Sequence, residues 1–110
     1  MIPSQMLKGT LEGCILKVIS KKETYGYEIS EMLHEYGFSD ISEGTIYPML
    51  LRLEKNGLIT AQYKASPVGP KRKYFSITER GIEEIQAFYA SFSELEGAIN
   101  KLFREERKEV

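Results

Sequence analysis

Apolar residues three or four positions apart dominate the first third of the chain and predict two amphipathic helices. The first helix is expected to end near the polar stretch SKKET, and its inner face to consist of Leu7, Leu11, Ile15, Val18 and Ile19. Thr24 is expected to cap the second helix, and Gly37 to follow its end. The inner face of this second helix is expected to consist of Ile29, Met32, Leu33 and Tyr36.

The stretch SEGTIYPMLLRLEKNGLI predicts a third helix with a proline near its start. With Ser42 as the N-cap, Pro48 would be the sixth helical residue and would delete a backbone hydrogen bond, at a cost of about 3 kcal/mol. With Thr45 as the cap, Pro48 falls in the first turn, where amide groups have no intrahelical partner. We therefore expect the regular helix to begin near Thr45 or to open with a tight irregular turn, which leaves residues 42–47 as an exposed tip. Gly57 is expected to end the helix, and its inner face to consist of Ile46, Met49 or Leu50, and Leu53.

Two segments rich in β-branched and aromatic residues follow, LITAQYKA and KRKYFSIT. The separator SPVGP is typical of a loop, so the pair predicts an antiparallel hairpin. No acidic residue occurs from position 55 to 78, whereas this segment contains the basic residues Lys55, Lys64, Lys71, Arg72 and Lys73. A basic segment on a chain with a net charge of -1 is typical of a protein in which one edge meets nucleic-acid phosphate. A solubilising loop is the alternative interpretation of the charge alone.

A last helix is expected after Thr78, which caps it, with Glu79 in its first turn, where a negative charge suits the helix dipole. Its apolar residues advance by alternating three and four positions and form a heptad seam, which consists of Ile85, Phe88, Phe92, Leu95, Ile99 and Leu102. The seam is broadened by Ile82, Tyr89 and Phe103. This helix is longer than the core of the first 78 residues, which could bury only part of its apolar face. We therefore favour a second copy of the chain as the partner that buries the rest. Packing against the chain's own core is the alternative.

The length and composition of the chain indicate a single-domain protein, since 110 residues suffice for one compact domain with an appended element. The single cysteine, Cys14, is expected to be a small buried hydrophobe, and the single histidine, His34, a surface or partly packed residue. We expect no metal site, no cofactor and no enzyme activity, because the sequence offers no nucleophile and base pair and no Gly-rich phosphate loop. Neither a signal peptide nor a stretch of about 20 apolar residues is present, so we expect a cytoplasmic protein.

The order helix, helix, helix, hairpin, helix predicts a winged helix-turn-helix, a mostly α fold with a small antiparallel β-hairpin. We expect a DNA-binding domain over residues 1–78 and a C-terminal dimerisation helix over residues 79–110. In this fold the third helix enters the DNA major groove, and the hairpin, or wing, lies along the adjacent backbone or minor groove. Gly44 would let the backbone approach a phosphate closely, and the Tyr47 hydroxyl could reach a phosphate. Arg52 is expected either to contact the DNA backbone or to pair with an acid such as Glu28 or Glu54.

Three strings, YGYEIS, EGTIYPMLLRLEKNGLI and GPKRKYFSITERG, resemble the PadR-like family of bacterial transcriptional regulators in their order and spacing. The resemblance runs from about Met6 to Phe103. It implies a homodimeric repressor that binds an inverted-repeat operator, in many members an ATGT and ACAT pair, near its own or a neighbouring gene. It also implies a short family member with one C-terminal dimerisation helix.

The resemblance assigns the recognition-helix contacts to Ser42, Glu43, Gly44, Thr45, Tyr47 and Pro48. It assigns the wing contacts to Lys64, Lys71, Arg72 and Lys73. Tyr25 and Tyr27, beside Gly26, match a family pattern in which the turn that opens the second helix lies near the DNA backbone. At least one of these two rings is expected to belong to the core.

In some short family members the dimer interface encloses a hydrophobic channel that binds flat aromatic drugs, with a tryptophan where this chain has Phe92. This chain has no tryptophan, but Phe88, Tyr89 and Phe92 could line an apolar cavity for such an effector. Packing in the core or the seam is the alternative role for these rings. A second hypothesis for the whole protein is a winged-helix module for protein contacts, in which the wing binds an acidic partner.

Overall fold

A computed structural model describes residues 1–38 and 41–108 of the chain. Its elements in chain order are α1 Ser4–Leu7, α2 Leu11–Lys21, β1 Thr24–Tyr25, α3 Gly26–Glu35, α4 Glu43–Lys55, β2 Ile59–Ser66, β3 Gly69–Ile77 and α5 Glu79–Lys108. The predicted order of three helices, a hairpin and a last helix is confirmed, and the fold is a mostly helical winged helix-turn-helix. Two short elements, α1 and β1, are additions that the sequence pattern does not predict.

The core lies between α2, α3, α4 and the sheet. Its buried apolar side chains come from the predicted inner faces, from the hairpin and from one further position of α2, Leu16, which the prediction did not include. They are Leu11, Ile15, Leu16, Val18, Ile19, Ile29, Leu33, Ile46, Leu50, Leu53, Ile59 and Phe75. On α4, Leu50 is buried and Met49 packs at the edge of the core. The prediction for Leu7 is wrong, because Gly9, with a φ of 87°, separates its short helix from α2. The prediction for Tyr36 is also wrong, because this residue follows the last turn of α3 and is exposed.

The three strands form one antiparallel sheet in the order β1-β3-β2. The hairpin of β2 and β3 is the predicted one, and in it Lys64 lies directly opposite Arg72. The prediction that Thr24 caps the second helix is wrong, because Thr24 is a buried residue of the edge strand β1. Its hydroxyl donates a hydrogen bond to Oε1 of Glu28, and α3 begins only at Gly26.

The ends of α3 and α4 and the start of α5 lie where the sequence predicts them. Gly37 after α3 and Gly57 after α4 have φ angles of 105° and 77°, the left-handed conformation that favours glycine. Thr78 caps α5 as predicted, since its Oγ1 accepts a hydrogen bond from the backbone N of Gly81 at 3.0 Å. The same hydroxyl donates to the carbonyl oxygens of Gly57 and Leu58, 2.8 and 2.9 Å away, and so fixes the start of α5 to the turn after α4.

The last helix, α5, contains 30 residues and is therefore about 45 Å long. Its first part packs against α2, where the ring of Phe88 lies directly against Gly13 and Ile85 packs at the edge of the core. From Ser93 to Glu105 every side chain is exposed. The second half of α5 therefore extends beyond the body of the molecule.

Candidate nucleic-acid interface

The N-terminal tip of α4 is exposed as predicted, apart from Ile46, which lies in the core. Ser42 is the N-cap, because its Oγ accepts a hydrogen bond from the backbone N of Thr45 at 3.3 Å. The helix therefore begins at Glu43 and not near Thr45. It opens with a tight turn, the other predicted alternative, in which the backbone N of Thr45 donates to the carbonyl oxygen of Ser42 at 3.0 Å. The tip presents one helical turn of small and polar side chains to solvent.

Pro48 is consequently the sixth residue of α4 and lies inside the helix. The backbone hydrogen bond that it cannot make would have reached the carbonyl oxygen of Gly44, four residues earlier. Both residues are exposed, so water can hydrate that carbonyl group. Exposure of the tip explains why α4 tolerates a proline that a buried helix interior would exclude.

An open depression of about 300 Å³ lies between the α4 tip and the edge of the sheet. The start of α3, the tip of α4 and strand β3 form its walls, and the residues that line it are Tyr25, Gly26, Tyr27, Glu43, Tyr47, Arg72, Lys73 and Phe75. Tyr25, the N-cap residue of α3, makes no capping hydrogen bond with its side chain. The first amide groups of α3 are therefore not satisfied by this cap and can serve as donors.

Arg72 and two tyrosines form a group of cation–π and edge-to-face contacts at this depression. The guanidinium carbon of Arg72 lies 4.1 Å from the centre of the Tyr25 ring, and the Tyr25 ring meets the ring of Tyr74 edge-on at 5.4 Å. Tyr25 is half-buried in this group, and Tyr27 is exposed. The expectation that one of the rings at positions 25 and 27 belongs to the core is wrong, because β1 holds Tyr25 at the edge of the sheet.

The lysines of the wing differ in their surroundings. Lys71 is exposed. Lys73 retains only 17% of its side-chain surface, because its ammonium group lies 3.2 Å from Glu54 and 6.0 Å from the centre of the Tyr47 ring. Lys64 is hydrogen bonded to Glu23, a contact that the sequence pattern does not predict. Lys71 is thus the wing lysine most open to a phosphate.

Arg52 lies on the exposed side of α4, one turn beyond Pro48. Its Nε is 3.2 Å from Oε1 of Glu12, which lies in the first turn of α2. Arg52 therefore pairs with an acid, which was one of the two predicted alternatives, but the partner is Glu12 and not Glu28 or Glu54. Glu28 bonds to Thr24 and Lys22 instead, and Glu54 to Lys73.

Several carboxylates border the basic surface. The Glu43 carboxylate lies beside Gly26, with Oε2 3.7 Å from the position that a Cβ would take there. The hydrogen bond from Lys64 holds the pKa of Glu23 below its ordinary value, and the hydrogen bond from the Thr24 hydroxyl does the same for the pKa of Glu28. A hydrogen bond to Glu31 raises the pKa of Tyr27.

The predicted seam of α5 divides into two parts. Ile85 packs at the edge of the core, and Phe88 and Phe92 are half-buried, with their rings stacked at 6.3 Å. Tyr89 is exposed and stacks on Phe92, also at 6.3 Å. The remaining apolar residues of the face are between 45% and 65% exposed, and they are Ile82, Leu95, Ile99, Leu102 and Phe103. The single chain therefore leaves a long apolar face uncovered.

Residues 1–38 and 41–105 contain no group of three or more His, Cys, Asp and Glu side chains that could hold a metal ion. Among the same residues no helix has the length and apolar character that crossing a membrane requires. Cys14 is half-buried, and burial raises the pKa of its thiol. His34 is exposed. These two residues lie outside the surface described above.

Comparison with known proteins identifies the family. The family model of the PadR-like transcriptional regulators matches residues 15–87. A PadR-like transcriptional regulator from Bacillus cereus strain ATCC 14579 is 52% identical, with a TM-score of 0.80 over 90% of this chain and 96% of that chain. An uncharacterised protein of Lysinibacillus sphaericus is 36% identical over 107 residues, 96% of this chain and 97% of its own length. Bacillus subtilis PadR in complex with operator DNA is 26% identical, with a TM-score of 0.67 over 74% of this chain and 47% of that chain. The chain belongs to the PadR-like family of transcriptional regulators.

Proposed function

We propose that the protein is a homodimeric repressor in which each subunit places its α4 tip in the major groove of one half of an inverted-repeat operator. Membership of the family makes it a DNA-binding transcriptional regulator and not an enzyme. The observation that carries the finer proposal is the depression where the exposed α4 tip, the start of α3 and the basic strand β3 meet. The structure of Bacillus subtilis PadR with operator DNA supports the choice of ligand.

The α4 tip is proposed to read bases. Ser42 and Thr45 carry hydroxyl groups, and the absence of a side chain at Gly44 lets the helix approach the groove closely. Glu43 distinguishes base contacts from backbone contacts, because phosphate would repel its carboxylate. Its attractive contacts with DNA are therefore the amino groups of cytosine or adenine in the major groove. Tyr47 and Pro48 would add contacts to a sugar or a thymine methyl group.

The rim of the depression is proposed to bind the DNA backbone. Amide groups at the start of α3 and the hydroxyl groups of Tyr25 and Tyr27 are donors of the kind that contact phosphate. Arg72 lies at the same rim, and Lys71 is exposed one residue before it. Contacts from Arg52, Lys64 and Lys73 would require each of these cations to leave its present carboxylate.

The apolar face of α5 is proposed to be covered by α5 of a second copy. A repeated three-and-four spacing is the pattern of a helix that packs along another helix. Residues 1–78 would then form the DNA-binding domain and residues 79–110 the dimerisation helix. A dimer with twofold symmetry presents two α4 tips, which matches an inverted repeat with half-sites about 34 Å apart.

Release from the operator is proposed to follow from a flat, apolar effector held between the subunits. Phe88, Tyr89 and Phe92 already form a stacked group beside the α2–α5 contact, so a ligand there could change how α5 meets the body. Because the target is chromosomal DNA, we propose that the protein works in the cytoplasm. Planar aromatic compounds should bind the protein and weaken its complex with DNA, and the absence of both effects would exclude this step.

The experiment begins with selection from a pool of random duplexes, which should enrich an inverted repeat. With the selected duplex, log affinity should fall steeply with log salt, and Lys71→Ala and Arg72→Ala should each flatten the slope by about one unit. Lys101→Ala, which removes the same charge from the exposed part of α5, is the matched control and should leave the slope unchanged. A flat salt response of the wild-type protein would instead favour the module in which the wing binds an acidic protein.

A further inference from the structure

Two cations of the proposed DNA-binding surface are already paired with carboxylates from outside α4 and the wing. Arg52 of α4 pairs with Glu12 of α2 at 3.2 Å. Lys64 of β2 pairs with Glu23, which lies in the turn before β1. The second oxygen of Glu23 accepts a hydrogen bond from Ser76 at 3.3 Å, so this carboxylate is held at the wing from two sides.

These two ion pairs are expected to contribute little to the free energy of folding. Their four side chains retain between 37% and 54% of their surface, and ion pairs this exposed contribute little to the stability of a fold. The pair of Lys73 with Glu54 is different, because Lys73 is largely covered by the rings of Tyr47, Tyr63 and Phe75. The exposed pairs therefore act mainly on the electrostatic potential that the surface presents to a ligand.

We infer that Glu12 and Glu23 are internal counter-ions that limit the affinity of this surface for DNA of any sequence. The inference rests on the proposed DNA-binding function. A cation that forms no ion pair with the described residues, such as the exposed Lys71, gains a phosphate and releases the small ions around that phosphate. Arg52 and Lys64 instead exchange one anion for another, and the displaced carboxylate remains close to the charged backbone.

A lower affinity for DNA of any sequence would help the protein to find its operator. Non-specific binding depends almost entirely on phosphate contacts, and a genome offers a vast excess of non-specific sites. A regulator with fewer effective cations spends less of its time on such sites. Base contacts from the α4 tip do not depend on either carboxylate, so the surface can remain selective while its affinity for arbitrary DNA is low.

The test replaces each carboxylate with the amide of the same shape, Glu12→Gln and Glu23→Gln. One additional phosphate contact should raise the affinity for a random-sequence duplex about five- to tenfold at 0.1 M salt and steepen the plot of log affinity against log salt by up to about 0.9. Glu94→Gln in the exposed part of α5 changes the net charge equally and is the matched control. It should leave both quantities close to the wild-type values, and thermal unfolding of each variant checks that it folds.

A double-mutant cycle separates release of a cation from a general change in charge. In a Lys64→Ala background, Glu23→Gln should raise the affinity no more than Glu94→Gln does, because the cation that it would release is gone. If Lys71→Ala weakens binding while Glu12→Gln and Glu23→Gln behave like Glu94→Gln, the counter-ion inference is wrong and the proposed function stands. If Lys71→Ala and Arg72→Ala leave DNA binding unchanged, the proposed function itself fails.

Discussion

Gly81 lies where α5 begins, and its replacement by alanine tests how firmly α5 is fixed to the DNA-binding body. A Cβ at this position would lie 2.2 Å from the carbonyl oxygen of Leu58 and 2.6 Å from Cδ1 of Ile77. The isoleucine side chain can move, but the carbonyl group cannot move freely. It already accepts hydrogen bonds from the backbone N of Thr78 at 3.2 Å and from the Thr78 hydroxyl at 2.9 Å.

Three contributions determine how Gly81→Ala changes the free energy of unfolding. Alanine in place of glycine within a helix stabilises it by up to about 1 kcal/mol. Relief of the overlap requires a shift of roughly 1 Å between α5 and the turn after α4, and overpacking of this kind costs about 1–3 kcal/mol. The shift also weakens the cap that Thr78 provides, which is worth about 1 kcal/mol. We therefore expect Gly81→Ala to reduce the free energy of unfolding by about 1–3 kcal/mol.

Gly97→Ala is the matched control, because no atom of the described residues lies within 4 Å of the added Cβ, apart from those of its chain neighbours and of its own helix backbone. It should stabilise the protein by up to about 1 kcal/mol. Thermal unfolding of both variants measures the difference. Both are measured at one protein concentration, because the midpoint of the proposed dimer would depend on concentration. Each kcal/mol corresponds to about 4–8 °C in a small domain. If Gly81→Ala unfolds at or above the wild-type temperature, the contact with Leu58 does not fix α5.

Three further predictions concern assembly, base selection and pH. Replacing Phe92 and Ile99 with glutamate should give monomers in sedimentation and weaken operator binding, whereas monomers with undiminished binding would contradict the link between the two. Glu43→Ala should relax selection at one base pair of each half-site, by about 1–3 kcal/mol, in repeated selection from random duplexes; unchanged selection would exclude base reading by Glu43. The hydrogen bond from Thr24 places the folded-state pKa of Glu28 below the ordinary value of 4.5. The ionised Glu28 carboxylate therefore contributes fully to the free energy of unfolding above pH 4.5, and this contribution is lost as the pH falls through the folded-state pKa. Glu28→Gln should therefore flatten the loss of stability in acid, measured by urea unfolding, and an unchanged acid profile would contradict this role.

The helices and the hairpin can be predicted because their signals are local. Periodic apolar residues identify the inner faces of α2, α3 and α4, and Gly37 and Gly57 mark helix ends through the φ angles that they adopt. The start of α4 near Thr45 is predicted two residues too late because the local penalty of Pro48 depends on its surroundings. An exposed tip leaves the carbonyl of Gly44 open to water, which the spacing of residues does not reveal.

Contacts between distant positions are the part that could not be predicted. Thr24 becomes a strand residue by pairing with Phe75, and Arg52 pairs with Glu12 across forty positions. Neighbouring residues in the sequence instead favour a helix-cap role for Thr24 and an ion pair between Arg52 and the nearby Glu54. The residue types of the proposed DNA surface follow from sequence and family resemblance, whereas the carboxylates that partly neutralise it follow from the tertiary structure.

In the proposed dimer, two chains joined through α5 present paired α4 tips and wings to one face of a duplex. Hydroxyl-radical footprinting of the selected duplex tests it directly. This arrangement predicts two protected backbone segments about one helical turn apart on the same face, both lost together in the variant with glutamate at positions 92 and 99. A single protected segment at saturating protein, or two segments on opposite faces of the duplex, would contradict it.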